Sequence, residues 1–180
     1  MWNIANKLTV LRMIMVPIYV LVFTLVPEPW NRYLAFILFA AASYTDHLDG
    51  KLARERNLVT NFGKFMDPLA DKLLVCSALI CLVELKQLPA WMVIIIISRE
   101  FIISGFRLVA SDNGVVIAAS YWGKFKTTFQ MLMVIVLILD IQMPFFQILG
   151  TVLTYVALIL TVVSLIDYIV KNKDVLKDQK

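Results

Sequence analysis

The sequence has few of the residues that build cross-links and soft-metal sites: two cysteines and one histidine in 180 residues. Cys76 and Cys81 stand five apart in one apolar run, a rotation of about 140° on a helix. They face different ways, so the pair is expected to form neither a disulfide nor a metal site, and both read as small apolar fillers. Charge is sparse as well. Asp, Glu, Lys and Arg make up 17% of the chain, with a net charge of +4. The basic residues are spread between the apolar runs with no patch, which argues against a nucleic-acid partner. No repeat, linker or low-complexity segment stands out. The first apolar run, 8–27, is too long for a signal-peptide core and lacks a small-x-small cleavage site, so it reads as a retained transmembrane helix.

What the chain has in excess is oil. It is 61% hydrophobic with mean hydropathy +0.82, against roughly 45–50% apolar residues in a soluble domain. The expected class is an all-α integral membrane protein with one domain over residues 1–180. Runs long enough to span a bilayer fall at about 8–27, 32–56, 64–86, 89–111, 121–142 and 144–170. These predict a six-transmembrane-helix bundle. "PEPWN", "KQLP", "SDNG" and "DIQMP" break the runs, and Trp30, Trp91 and Trp122 stand near helix ends, where aromatic belts form. With both termini cytoplasmic, all of the 17 basic residues except Arg32 and Lys86 lie on the inside, as the positive-inside rule requires.

Against this background the stretch "DHLDGKLARERNLVTNFGKFMDPLAD" is costly, because carboxylates at membrane depth are expensive unless something positive sits among them. Asp46, Asp49, Gly50, Ala53 and Arg54 share one face of the second helix at about 100° per residue. Two carboxylates point inward, two small residues let a bulky group approach, and the planar arginine fork suits phosphate. Gly63, Asp67 and Asp71 are spaced four and four on the third helix and share a face too. Packed antiparallel, the two helices bring four carboxylates together. Hard oxygen donors suit Mg2+ or Mn2+, and four aspartates suffice for two ions ~4 Å apart that clamp a phosphate. Pro68 leaves two options. Either the third helix starts near Asp67, with Gly63 outside it, or it is continuous and kinked. His47 points about 100° away from Asp46, off the shared face.

A second polar set lies further on. "SREFIISGFR" places Arg99, Glu100 and Arg107 in an apolar run, and "GKFKTTFQ" adds Lys124, Lys126, Thr127 and Gln130. Basic residues within apolar helices suggest a second, anionic substrate. The competing reading is helix-end cations that snorkel to headgroups, with Glu100 neutralising a neighbour. At the N-terminus, Asn6, Thr9 and Arg12 lie along one side of the first helix. They fit either a polar headgroup or nucleotide site, or an interfacial helix start.

The pattern D-x2-D-G-x2-A-R-x8-G-x3-D-x3-D is met in full over residues 46–71. It resembles the CDP-alcohol phosphatidyltransferase family. The resemblance implies that Asp46, Asp49, Asp67 and Asp71 hold two divalent cations, with Asp71 also the general base. It implies that Gly50, Ala53, Arg54 and Gly63, with Asn6, Thr9 and Arg12, bind the CDP moiety of CDP-diacylglycerol. It favours a continuous third helix through Pro68, a homodimer among membrane lipids, and a bacterial plasma-membrane location with the active site facing the cytoplasm. "SREFIISGFR" followed by "GKFKTTFQ" is similar to the branch whose acceptor is glycerol 3-phosphate, so Arg99, Arg107 and Lys124 or Lys126 are expected to receive the acceptor phosphate. The alternatives are relatives of the cardiolipin synthase or phosphatidylinositol-phosphate synthase type. Outside enzymes, a cation channel or transporter explains the aspartates but not Arg54, Arg99 and Arg107.

Overall fold

A computed structural model of the chain describes residues 4–55, 61–112, 117 and 120–172, and their side chains except at 4–6, 46–55, 61–65, 67, 68, 71 and 112. The described residues form six helices and no strand. They are α1 (Ile4–Leu25), α2 (Trp30–Glu55), α3 (Asn61–Glu84), α4 (Ala90–Asp112), α5 (Tyr121–Leu139) and α6 (Pro144–Lys171). The chain divides into two compact units, Met1–Gln87 and Leu88–Lys180.

In the first unit α1 packs against both α2 and α3. The α1–α2 connection is set by Pro27 and Pro29, which cannot continue a helix ladder. The buried Asn31 side chain donates to the Phe23 carbonyl at 3.4 Å, satisfying one orphan group at the end of α1. The buried stripe of α1 is Thr9, Arg12, Val16, Tyr19 and Phe23, recurring every three or four residues. Tyr19 stacks on Phe23 at 5.6 Å between ring centroids and meets Phe39 of α2 at 6.4 Å. Ala35, Ala42, Ala70 and Ala78 are fully buried, and such small side chains let helices approach closely. Leu11, Ile14, Ile18, Leu21 and Leu25 point outward. An apolar outside with Thr9 and Arg12 inside is the arrangement that lipid, not water, selects.

α3 is continuous from Asn61, so Gly63, Asp67 and Pro68 all fall within it. Of the two options left open by Pro68, the continuous helix holds. Cys76 and Cys81 are both buried and form no disulfide. α3 ends in a Schellman turn: Gln87 N–H donates to the Leu82 carbonyl and Lys86 N–H to that of Val83, with Lys86 at φ 61°.

In the second unit α6 packs along α5 and α4. Gly150 brings α6 against α5 so closely that a Cβ there would meet Leu137 Cδ2 at 3.2 Å. Ser120 caps α5, its hydroxyl accepting from Gly123 N–H at 3.2 Å. Pro144 opens α6 at its first turn. Phe106 of α4 meets Tyr168 of α6 edge-on at 6.2 Å.

Among the described residues three helical segments are long and apolar enough to cross a membrane: Lys7–Leu25, Tyr121–Leu139 and Pro144–Lys171. α2 and α3 carry the aspartates that the sequence singles out, and α4 carries Arg99, Glu100 and Arg107. Trp30, Trp91 and Trp122 stand in the first turns of α2, α4 and α5 and are exposed, as expected of belt residues.

Candidate functional site

The aspartates occupy helix ends of the first unit. Asp46, Asp49, Gly50, Ala53 and Arg54 fall in the last turns of α2, and Gly63, Asp67 and Asp71 in the first turns of α3. The helical backbone over both sets is the condition for the shared-face spacing. The side chains of these eight residues, and of Asn6 and His47, lie outside the described ones.

Thr9 and Arg12 are described, and both are fully buried. Their level can be read from the α1–α2 register. The short connection makes the two helices antiparallel, and two contacts fix the pairing: Phe23 with Asn31, and Tyr19 with Phe39. At equal rise per residue this brings Arg12 level with about residues 42–46 and Thr9 with about residues 45–49. α3 starts at the same end, with five residues between it and α2. One end of this unit therefore collects the start of α1, the signature residues of α2 and those of α3. An arginine with no exposed surface stands at that level, in a stripe whose other members carry no charge. A buried cation needs anionic company to offset its desolvation.

The second unit holds the other set. Arg99 of α4 is 7% exposed and Lys126 of α5 only 2%. Glu100 ties them together: its Oε1 accepts from Arg99 Nη1 at 3.1 Å and also from Lys126 Nζ. Arg99 Nε donates to Ser164 Oγ of α6 at 3.1 Å, and Ser164 in turn donates to the Thr161 carbonyl at 3.0 Å. Arg99 thus ties α4 to α6, and Glu100 ties α4 to α5 through Lys126. Its remaining nitrogen, Nη2, lies beside Gly123 in the first turn of α5, where a Cβ would meet it at 3.5 Å. Nearby polar atoms are buried without a hydrogen-bond partner among the described residues: Gln130 Oε1 and Tyr168 Oη. Buried polar atoms of this kind call for water or a ligand.

The four basic residues expected to bind the acceptor separate into two kinds. Arg99 and Lys126 are buried and joined through Glu100. Arg107 and Lys124 are exposed, Arg107 with its guanidinium carbon 5.9 Å from the Tyr168 ring centroid and Lys124 with its ammonium 5.6 Å from that of Tyr121. Glu100 pairs with two cations, Arg99 and Lys126, rather than with a single neighbour. Sequence reasoning reached Gln130 but missed Ser164 and Tyr168. For α6 the signal was available: Thr161, Ser164 and Tyr168 recur at three and four within an apolar helix, the spacing of an inward face.

Residues 2–163 match a family model described as CDP-alcohol phosphatidyltransferase. The chain is 46% identical to the CDP-diacylglycerol–glycerol-3-phosphate 3-phosphatidyltransferase of Bacillus subtilis, over 98% of each chain. It is 41% identical to the protein of that name in Haemophilus influenzae, over 98% of this chain and 97% of the relative. It is 39% identical to a probable phosphatidylglycerophosphate synthase of Mycobacterium tuberculosis, over 94% of this chain and 81% of the relative.

Proposed function

The chain belongs to the CDP-alcohol phosphatidyltransferase family, and from that premise we propose that it transfers the phosphatidyl group of CDP-diacylglycerol to glycerol 3-phosphate, giving phosphatidylglycerophosphate and CMP. The observation that carries this reading is similarity over nearly the whole length of relatives named for that reaction. The buried cationic cluster of α4, α5 and α6 supports it, since a phosphorylated acceptor needs such a partner and a neutral one does not.

Two Mg2+ or Mn2+ ions fit the donor set, which is four hard carboxylates on the adjoining ends of α2 and α3. Asp46, Asp49, Asp67 and Asp71 would hold them. When bound, the ions neutralise the pyrophosphate and the charge that develops on the departing CMP. Arg54 shares that charge, and Gly50, Ala53 and Gly63 leave room for the nucleotide. Asn6, Thr9 and Arg12 close the CDP site from α1; Arg12, buried and level with the end of α2, supplies its cation. Asp71 accepts the proton from the 1-hydroxyl of glycerol 3-phosphate. That oxygen forms a bond to the phosphorus carrying the diacylglycerol, and the bond to the CMP oxygen breaks. Positioning and charge stabilisation supply most of the rate.

The substrate arrives laterally with its acyl chains in lipid. In this reading the protein crosses the bacterial plasma membrane six times with both termini and the active site on the cytoplasmic face, and it works as a homodimer. The test offers purified protein CDP-diacylglycerol with glycerol 3-phosphate, phosphatidylglycerol, inositol phosphate or serine, and follows CMP release. Release with glycerol 3-phosphate alone is expected. Release only with another acceptor overturns the assignment.

A further inference from the structure

Glu100 is an acid placed where an acceptor site for an anion would gain nothing from one, and its geometry gives the reason. A guanidinium is planar with its N–H groups in a fixed fork, so two anchored nitrogens fix the position of the third. Arg99 is anchored at Nε by Ser164 and at Nη1 by Glu100, both at 3.1 Å. Nη2 has no protein acceptor among the described residues and faces the first turn of α5 beside Gly123. The same Glu100 oxygen engages Lys126, 2% exposed. Without that carboxylate, two cations would face each other in a low-dielectric interior and drive one another apart. With it, the two buried cations are held together, and the guanidinium keeps one edge open.

We infer that Glu100 is a positioning residue for the acceptor: anchoring Arg99 at Nη1 opposite Ser164 at Nε, it aims the Nη2 edge at the acceptor phosphate and holds Lys126 beside it. This rests on the proposed transfer to glycerol 3-phosphate. The rival is a purely structural tie between α4 and α5. The two differ in what they do to the acceptor constant. A structural tie, when cut, lowers the amount of folded enzyme or disturbs both substrates together. A positioning residue moves the KM of one substrate.

The experiment measures CMP release at varied glycerol 3-phosphate and at varied CDP-diacylglycerol for the wild type, E100Q, E100Q/K126M and S164A. E100Q keeps the shape and removes the charge. It is expected to raise KM for glycerol 3-phosphate roughly 10- to 100-fold, the range for losing one charge-assisted hydrogen bond. KM for CDP-diacylglycerol is expected to stay within about twofold. E100Q/K126M removes the acid and its extra cation together, and is expected to recover much of the loss, because Arg99 then faces a neutral acceptor and no rival cation. S164A removes the other anchor without changing any charge, and is expected to raise the same KM by roughly 3- to 10-fold. S164A also keeps the inference testable if E100Q does not fold. An unchanged acceptor KM in either single variant, equal shifts for both substrates, or a double variant worse than E100Q overturns the inference alone. A wild type that releases no CMP with glycerol 3-phosphate overturns the proposed function and this inference with it.

Discussion

Replacing Arg99 with lysine keeps a positive charge on the same turn of α4 and removes the fork. The structure lets the consequence for stability be separated from the consequence for binding. Arg99 makes two protein hydrogen bonds, to Ser164 and Glu100. A lysine retains the pairing with Glu100. Ser164 loses a donor but keeps its own bond to the Thr161 carbonyl, so no buried hydroxyl is orphaned. The cost to the fold is therefore one neutral acceptor's partner, about 1 kcal/mol. The cost to the acceptor is larger. An ammonium drawn to Glu100 has no rigid second edge to present, so the charge-assisted bond that Nη2 would make to phosphate is lost. That bond is worth about 1.5–3 kcal/mol, or roughly 10- to 150-fold in KM for glycerol 3-phosphate. The assay is initial-rate CMP release in detergent at varied glycerol 3-phosphate, with thermal unfolding followed on the same preparations. The expected result is a midpoint lowered by only a few degrees and an acceptor KM raised by that factor, with the CDP-diacylglycerol KM unchanged. An acceptor KM within about threefold of wild type would show that the open edge of Arg99 holds no phosphate.

The remaining predictions concern the aspartates and the helix contacts. Asp71→Asn is expected to lower kcat by roughly 10²- to 10⁴-fold, as loss of a general base does, with little change in KM for CDP-diacylglycerol; near-wild-type turnover removes the base assignment. Chelation of divalent cations is expected to abolish CMP release, and added Mg2+ or Mn2+ to restore it; full activity in chelator counts against ion-dependent chemistry. Gly150→Leu forces side-chain atoms into a contact where a Cβ alone would meet Leu137 at 3.2 Å. It is expected to cost about 1–3 kcal/mol and lower the unfolding midpoint by several degrees, whereas Gly150→Ala, relieved by a small shift of the Leu137 tip, is expected to leave it nearly unchanged.

The helices were largely legible because their ends carry chemical punctuation. Pro27 and Pro29, Pro89, Ser120 and Pro144 all stand at boundaries found in the structure. Boundaries differ by up to four residues, the largest gap at α1, which starts at Ile4 rather than 8, and two of the differences are instructive. α5 ends at Leu139 rather than 142, because Asp140 takes a left-handed conformation at φ 42° and stops the helix while the apolar run continues. α3 begins at Asn61 rather than 64 and passes through Pro68, a position where proline alone suggested a start. The signature of α2 and α3 was legible as a pattern because its spacing is local to each helix. The contacts of Glu100 with Lys126 and of Arg99 with Ser164 were not, because they depend on how α4, α5 and α6 rotate about one another. Helices that are apolar on nearly every face carry little amphipathic signal to fix that rotation.

Burial in lipid gives a criterion for separating adhesive polar residues from chemical ones. In a chain that turns apolar faces outward, each inward polar group must find a partner inside the protein. The hydroxyls solve this locally: Ser43 donates to the Phe39 carbonyl at 2.8 Å, Thr154 to Gly150 at 2.8 Å and Thr161 to Ala157 at 2.7 Å. Such residues need nothing beyond their own helix and can stand anywhere along it. A guanidinium or ammonium has no comparable local solution, since its charge persists after every hydrogen bond is made. Arg99 and Lys126 are therefore tolerated only beside an acid, and Glu100 serves both. Had the cluster served adhesion alone, a neutral pair would have tied α4 to α5 at lower cost. The open Nη2 edge of Arg99, fixed by two anchors on the protein, is what a purely adhesive pair would not need, and it fits the proposed acceptor, which brings its own negative charge.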